Sequence, residues 1–296
     1  MNALSTPAGE SEAPANAASQ PAGSGGASSA SEPYFPPPPL GPRALMQPLG
    51  WGAPLQWLAL GWQDLKEHPA IGLFYGVAFW GMALVLGLVF ANKPEYTMSI
   101  ASGCLLVGPF LAMGLYEVSR RREAGEAPSF ASSLTCWRSH IRSMGMLVLV
   151  LIVLELLWGR ASLVVFAVFF NTGMPSTTGV IQAVFNPDNI EFVLVYLAVG
   201  SVFAALVFST AVVSIPMILD RDTDAISAAI TSIRVVYEHP GVLLFWGALI
   251  AALVFLALLP AGAGLVLVGP VLGHATWHAY RASVRWLEES GAVTTS

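Results

Sequence analysis

Long apolar runs alternate with short polar connectors along most of the chain. Six segments, at about 70–91, 98–119, 144–170, 192–218, 241–259 and 261–281, are each apolar over roughly 20 residues. A helix needs about 20 such residues to carry a fully hydrogen-bonded backbone across roughly 30 Å of hydrocarbon. The pattern therefore predicts six transmembrane helices. The third and fourth are longer than a bilayer needs and are expected to tilt or protrude. Their connector, Asn171 to Glu191, carries no Lys or Arg.

A second periodicity precedes each pair of apolar runs. Leu55, Leu58, Trp62 and Leu65 form one stripe; Phe130, Leu134, Trp137 and Ile141 a second; Ile226, Ile230, Ile233 and Tyr237 a third. Spacings of three and four mark amphipathic helices. Ser129 and Asp224 stand where N-caps belong, and Pro54 suits a first helical turn. Such helices are expected to lie on the cytoplasmic leaflet, with Trp57, Trp62 and Trp137 at headgroup level.

The chain also repeats itself. Glu67-His68-Pro69, followed by Leu73-Phe74-Tyr75-Gly76, matches Glu238-His239-Pro240, followed by Leu244-Phe245-Trp246-Gly247, at an offset of 171. Gly103 and Gly108-Pro109 match Gly264 and Gly269-Pro270 at an offset of 161. The difference falls in the outer loop, where insertions belong. The expected fold is all-α, a polytopic membrane protein of six transmembrane helices arranged as three hairpin repeats with short amphipathic interfacial helices. The alternative is two related hairpins flanking an unrelated one. The middle hairpin departs most, having no Glu-His-Pro and only Pro216 near the end of its second helix.

Composition agrees: 55% of residues are hydrophobic and 10% charged, against roughly 25% charged in soluble domains. Thirteen basic and 18 acidic residues leave a net charge of -5, so no basic surface is available for nucleic acid. Cys104 and Cys136 allow at most one disulfide and no zinc-type spacing. Residues 1–42, rich in Ala, Ser, Pro and Gly and ending at Pro36 to Pro39, read as a disordered, untranslocated tail. A transmembrane domain over 43–285 and a short tail over 286–296 complete the organisation. Eleven basic residues fall on one side of the six segments, only Lys93 in the opposite loops, and Arg160 inside the third. The positive-inside rule then puts both termini in the cytoplasm.

Ser214-Ile215-Pro216-Met217-Ile218-Leu219-Asp220-Arg221-Asp222, then Asp224-Ala225-Ile226 and Ser232, and finally Gly269-Pro270-Val271-Leu272-Gly273-His274-Ala275-Thr276-Trp277-His278-Ala279-Tyr280-Arg281 resemble the signature of a bacterial family of predicted integral membrane proteins, domain of unknown function 2189. The likeness covers about residues 50–285. It implies a bacterial inner-membrane location and no particular activity, cofactor or catalytic residue.

Several residues are candidates for chemistry. Glu155 lies about 18 Å along the third segment, close to the bilayer midplane. An ionisable group there costs roughly 2.5 kcal/mol or more unless neutralised, paired or wet, which marks a functional site by default. Its plainer role is a protonated or interhelically bonded strut. Arg160, about 140° further around the helix, is expected to snorkel outward instead of pairing with it. His274 and His278 share a helix face at metal- or haem-ligand spacing, and His68, His140 and His239 are expected at the same level. Interfacial histidines also serve helix C-termini and headgroups.

Pro109 and Pro270, about halfway along their helices, release the carbonyls of Leu105 and Val266, as transporters do at midplane sites. The plainer reading is packing, with Gly103, Gly108, Gly264 and Gly269 allowing close backbone contact. Phosphate-loop, zincin, nucleophile-elbow and dinucleotide motifs are missing, and the expectation is no enzyme and no cofactor. Three functions stay open: a small-solute or ion permeation protein in contact with membrane lipids, a non-catalytic scaffold or assembly partner, and metal or haem binding.

Overall fold

A computed structural model describes residues 44–93, 96–170 and 186–286, all within the unit Pro42–Ser296. The N-terminal tail with its tetraproline, most of the connector from Asn171 and the last ten residues lie outside the described residues. The described residues are mostly helical: α1 (Ala53–Glu67), α2 (Pro69–Asn92), α3 (Thr97–Glu123), α4 (Phe130–Thr135), α5 (Ile141–Phe169), α6 (Ile190–Ala211), α7 (Ser214–Arg221), α8 (Ala225–Glu238), α9 (Pro240–Leu258) and α10 (Leu265–Ser283). Two three-residue strands, β1 (Ala44–Met46) and β2 (Val284–Trp286), pair antiparallel with Leu45 opposite Arg285. This clasp ties the start of the domain to its end, and apolar periodicity gave no sign of it.

Among the described residues, five stretches are long and apolar enough to cross a membrane: Pro69–Asn92, Ser99–Glu123, Ile141–Phe169, Ile190–Arg221 and Pro240–Leu258. The expected sixth, α10, is not among them. Its Leu272, His274, Trp277 and Tyr280 are buried, so much of its surface meets protein and the helix can carry polar groups that lipid would reject. The other five have only 6–29% of their most apolar windows buried. The core gathers toward the arginine-bearing ends of the helices, where Trp57 meets Trp246 edge to face at 5.6 Å and Trp277 meets Tyr280.

The predicted caps are present. Asp224 accepts from the Ser227 N–H, and Ser129 and Ser132 form a reciprocal capping box. The place of Trp57 needs correction: expected at headgroup level, it is buried against Trp246. Ile226, Ile230, Ile233 and Tyr237 are exposed, and α8 packs instead through Ala225, Ala228, Ser232 and Val235. In α1, Leu55 and Trp62 also face outward while Trp57, Gly61 and Asp64 face in. Periodicity locates an apolar face, but beside a membrane that face can serve lipid while small residues serve helix contact. The second stripe is cut short: α4 ends at Thr135, leaving Trp137 and Ile141 outside it.

The Glu-His-Pro motifs build two matching joints. His68 (φ -127, ψ 57) ends α1 and precedes α2; His239 (φ -129, ψ 54) ends α8 and precedes α9. Each histidine N–H donates to the carbonyl four residues back, Asp64 or Val235. Each following proline opens the next helix, where its missing N–H costs nothing. His140 caps α5.

Pro109 and Pro270 lie inside continuous helices, in line with the packing reading. Because α10 starts only at Leu265, Pro270 falls in its second turn and not at its middle. The Val266 carbonyl that Pro270 releases faces Gly76 of α2, where a Cβ would overlap it. Gly264 and Gly269 make the expected close contacts, with Ala257 and Phe79, but nothing approaches Gly103 or Gly108. The break occurs in the fourth span, between α6 and α7. There Pro216 has no N–H to offer Val212, and the Val213 N–H is taken by Ser232 Oγ at 3.1 Å.

Candidate functional site

Polar side chains gather in two places. The first centres on Asp64, which is wholly buried. Gly61 lets α1 approach α10 closely, since a Cβ there would come within 2.5 Å of the Val271 oxygen and 2.7 Å of the Ala275 nitrogen. One turn on, Asp64 faces α3 and α10. Ser119 Oγ donates to its Oδ2 at 2.5 Å, His278 Nε2 lies 3.0 Å from the same oxygen, and Arg122 Nη1 donates to Oδ1 at 2.5 Å. Arg122 also holds Glu67. Ser119 has one proton, spent on Asp64, so it accepts from the Nδ1–H of His274 at 2.8 Å. Burial pushes the Asp64 carboxyl up, but the bonds from His278 and Ser119 and the nearby histidine charges outweigh it, leaving the group below its usual range. The hydrogen bonds from Arg122 lower Glu67 as well.

The ties continue across the same end of the molecule. Glu117, almost fully buried, accepts from Arg120 and Arg121. Glu123 receives Trp277 Nε1 at 2.9 Å and Arg281 Nε at 3.0 Å. Tyr280 donates to Asp220 at 2.7 Å and accepts from Trp286 at 3.0 Å, and the Arg221 guanidinium stacks 5.1 Å from the Trp286 ring. The arrangement cross-links α1, α3, α7, α10 and β2.

The second place is Glu155, the middle residue of α5. It is 9% exposed and turned toward α3, where Ser102 Oγ donates to Oε2 at 2.7 Å. Its Oε1 is buried and has no hydrogen-bond partner among the described residues. Arg160 is exposed.

The five histidines do not all meet. His274 and His278 meet Asp64, whereas His140 bonds the Cys136 carbonyl at 3.0 Å and lies 3.7 Å from Asp222. No group of three or more His, Cys, Asp or Glu among the described residues is placed to hold a metal ion. Burial pushes the neighbouring Cys136 thiol up to about 12, which leaves it a poor nucleophile. Sequence reasoning missed Asp64, because one acid on the polar side of an amphipathic helix looks like ordinary solvated surface.

Residues 97–220 match a family described as "Predicted integral membrane protein (DUF2189)". The likeness to that family covers this stretch, less than half of the chain. The match takes in α3 to α6 and nearly all of α7, with Ser119, Arg122, Glu155 and Asp220; the His-Ala-Thr-Trp-His-Ala-Tyr-Arg run of α10 and Asp64 lie beyond it. No curated protein and no solved structure matches the chain. The DUF2189 description and the five long apolar helices agree on an integral, multi-pass membrane protein.

Proposed function

We propose that the protein is a small-solute or ion permeation protein of the bacterial inner membrane, built as six spans in three hairpin units with both termini cytoplasmic. The observation that carries this reading is Glu155, a carboxyl at the middle of a spanning helix, turned into the bundle and half-satisfied. Lipid exposure of Glu155 would have removed the reason for it.

Repeated contacts support the three units. Seven residues before His68, His140 and His239 stand three small residues, Gly61, Ser133 and Ser232. Each seats on the second helix of another unit: Gly61 at Ala275, Ser133 Oγ on the Gly114 carbonyl at 3.1 Å, and Ser232 Oγ on the Val213 N–H. Gly114 and Ala275 are 161 residues apart, the offset of the two Gly-Pro pairs. In this reading the three contacts, α1 on α10, α4 on α3, and α8 on the α6–α7 break, close a ring. In this reading α10 is the sixth span, inner and partly polar.

A second reading, a non-catalytic scaffold, draws on the arginine-bearing end, where Glu117, Glu123 and Asp220 all serve as ties between or along helices. Water access at Glu155 separates the two. With Cys104→Ala and Cys136→Ala as background, Glu155→Cys is exposed to a membrane-impermeant thiol reagent from each side of oriented vesicles. Labelling from either side is expected for permeation. Failure from both sides, with denatured protein labelling normally, selects the scaffold.

A further inference from the structure

We infer that Glu155 and Ser102 form a proton-binding site on the seam between the first and second hairpin units. The inference rests on the permeation reading and on the three-unit equivalence. Glu155 stands 15 residues after its junction histidine, His140; the residues at that distance from His68 and His239 are Ala83 and Val254. Ser102, moved by the 161-residue offset, becomes Ala263. Glu155 is thus replaced by an apolar residue in both sister units, and Ser102 by Ala263 in the third. Packing of a hairpin in this fold does not require a carboxyl at that place, and burying one is costly.

The surroundings select the ligand. The polar contact of Glu155 among the described residues is one hydroxyl, Ser102 Oγ on Oε2 at 2.7 Å, while Oε1 is buried without a partner. The neighbouring cation on α5, Arg160, is exposed. A metal cation such as calcium or magnesium takes six or more oxygens. One carboxyl and one hydroxyl among the described residues supply fewer than that, and they suffice for a proton: it neutralises the carboxyl and resides on Oε1, while Ser102 continues to donate to Oε2. Releasing it requires a water or another acceptor at Oε1, the atom the structure leaves open.

The experiment is infrared difference spectroscopy on the full chain in lipid nanodiscs, comparing wild type with Glu155→Gln. A protonated-acid C=O band present in wild type and absent from the variant is expected, moving on Ser102→Ala and on exchange into D2O. Reaction with dicyclohexylcarbodiimide, which enters bilayers and attacks protonated carboxyls, is the second measurement, its adduct mapped to Glu155 by peptide mass spectrometry. Carboxylate bands alone in the difference spectrum overturn the site. Protection from carbodiimide by sodium or potassium chloride, but not by choline chloride, overturns the proton in favour of an alkali cation. A protonated Glu155 in a vesicle-impermeable position, unlabelled as the cysteine from either side, would sustain this site while removing the permeation reading, so the two fail separately.

Discussion

Asp64 is the residue whose removal has the most defined consequence. It is fully buried and holds Ser119, Arg122 and His278 at once. Asp64→Asn keeps the shape but withdraws the charge that Arg122 faces, and breaking a buried pair from one side costs about 3–5 kcal/mol. The unfolding midpoint of purified protein is expected to fall accordingly, with Arg122 retained by Glu67. The pH dependence has a fixed sign. The folded carboxyl of Asp64 lies below its unfolded value of about 3.9, so its contribution is present above that value and lost as pH falls through the folded one. Wild type should therefore lose stability below about pH 4 more steeply than Asp64→Asn, and equal slopes would remove the assignment. Neither composition nor periodicity singled this residue out. Its alignment with Cys136 and Val235, each four residues before a junction histidine, was the one signal available.

Between helices, small residues decide contact. Gly61→Val drives a side chain into the Val271 and Ala275 backbone; overpacking of this kind costs about 1–3 kcal/mol. Freed α1 is expected to become sensitive to limited proteolysis. Gly145→Ala in α5 is the control, since nothing lies within 4 Å of the added Cβ and the change favours the helix by up to about 1 kcal/mol. Ser232→Ala strands the buried Val213 N–H at the α6–α7 break, with an expected loss of about 1–3 kcal/mol by the same unfolding measurement. Helix ends at the Glu-His-Pro joints and the caps at Ser129 and Asp224 were legible because they depend on neighbouring residues. Which face of α1 or α8 packs was not legible, since lipid and protein both accept Leu, Ile and Trp.

Across the whole molecule, the β1–β2 clasp joins residues near the two ends of the domain. Leu45→Cys with Arg285→Cys, in a background lacking Cys104 and Cys136, is expected to oxidise to an intramolecular disulfide that reducing agent opens on a gel. Reporters fused at either terminus should both read cytoplasmic, as the distribution of arginines predicts. A periplasmic reading from either would overturn the orientation. Segment lengths, the all-α class, the joints and the Gly-Pro pairs follow from the sequence alone, because helix propagation, chain capping and transfer into hydrocarbon depend on local residue types. Only the tertiary structure decided that α10 is enclosed, that His274 and His278 meet at Asp64, and that Glu155 faces Ser102 instead of lipid. Those outcomes depend on which helices become neighbours, and in a membrane every helix has enough apolar surface to satisfy lipid without saying which partner it prefers.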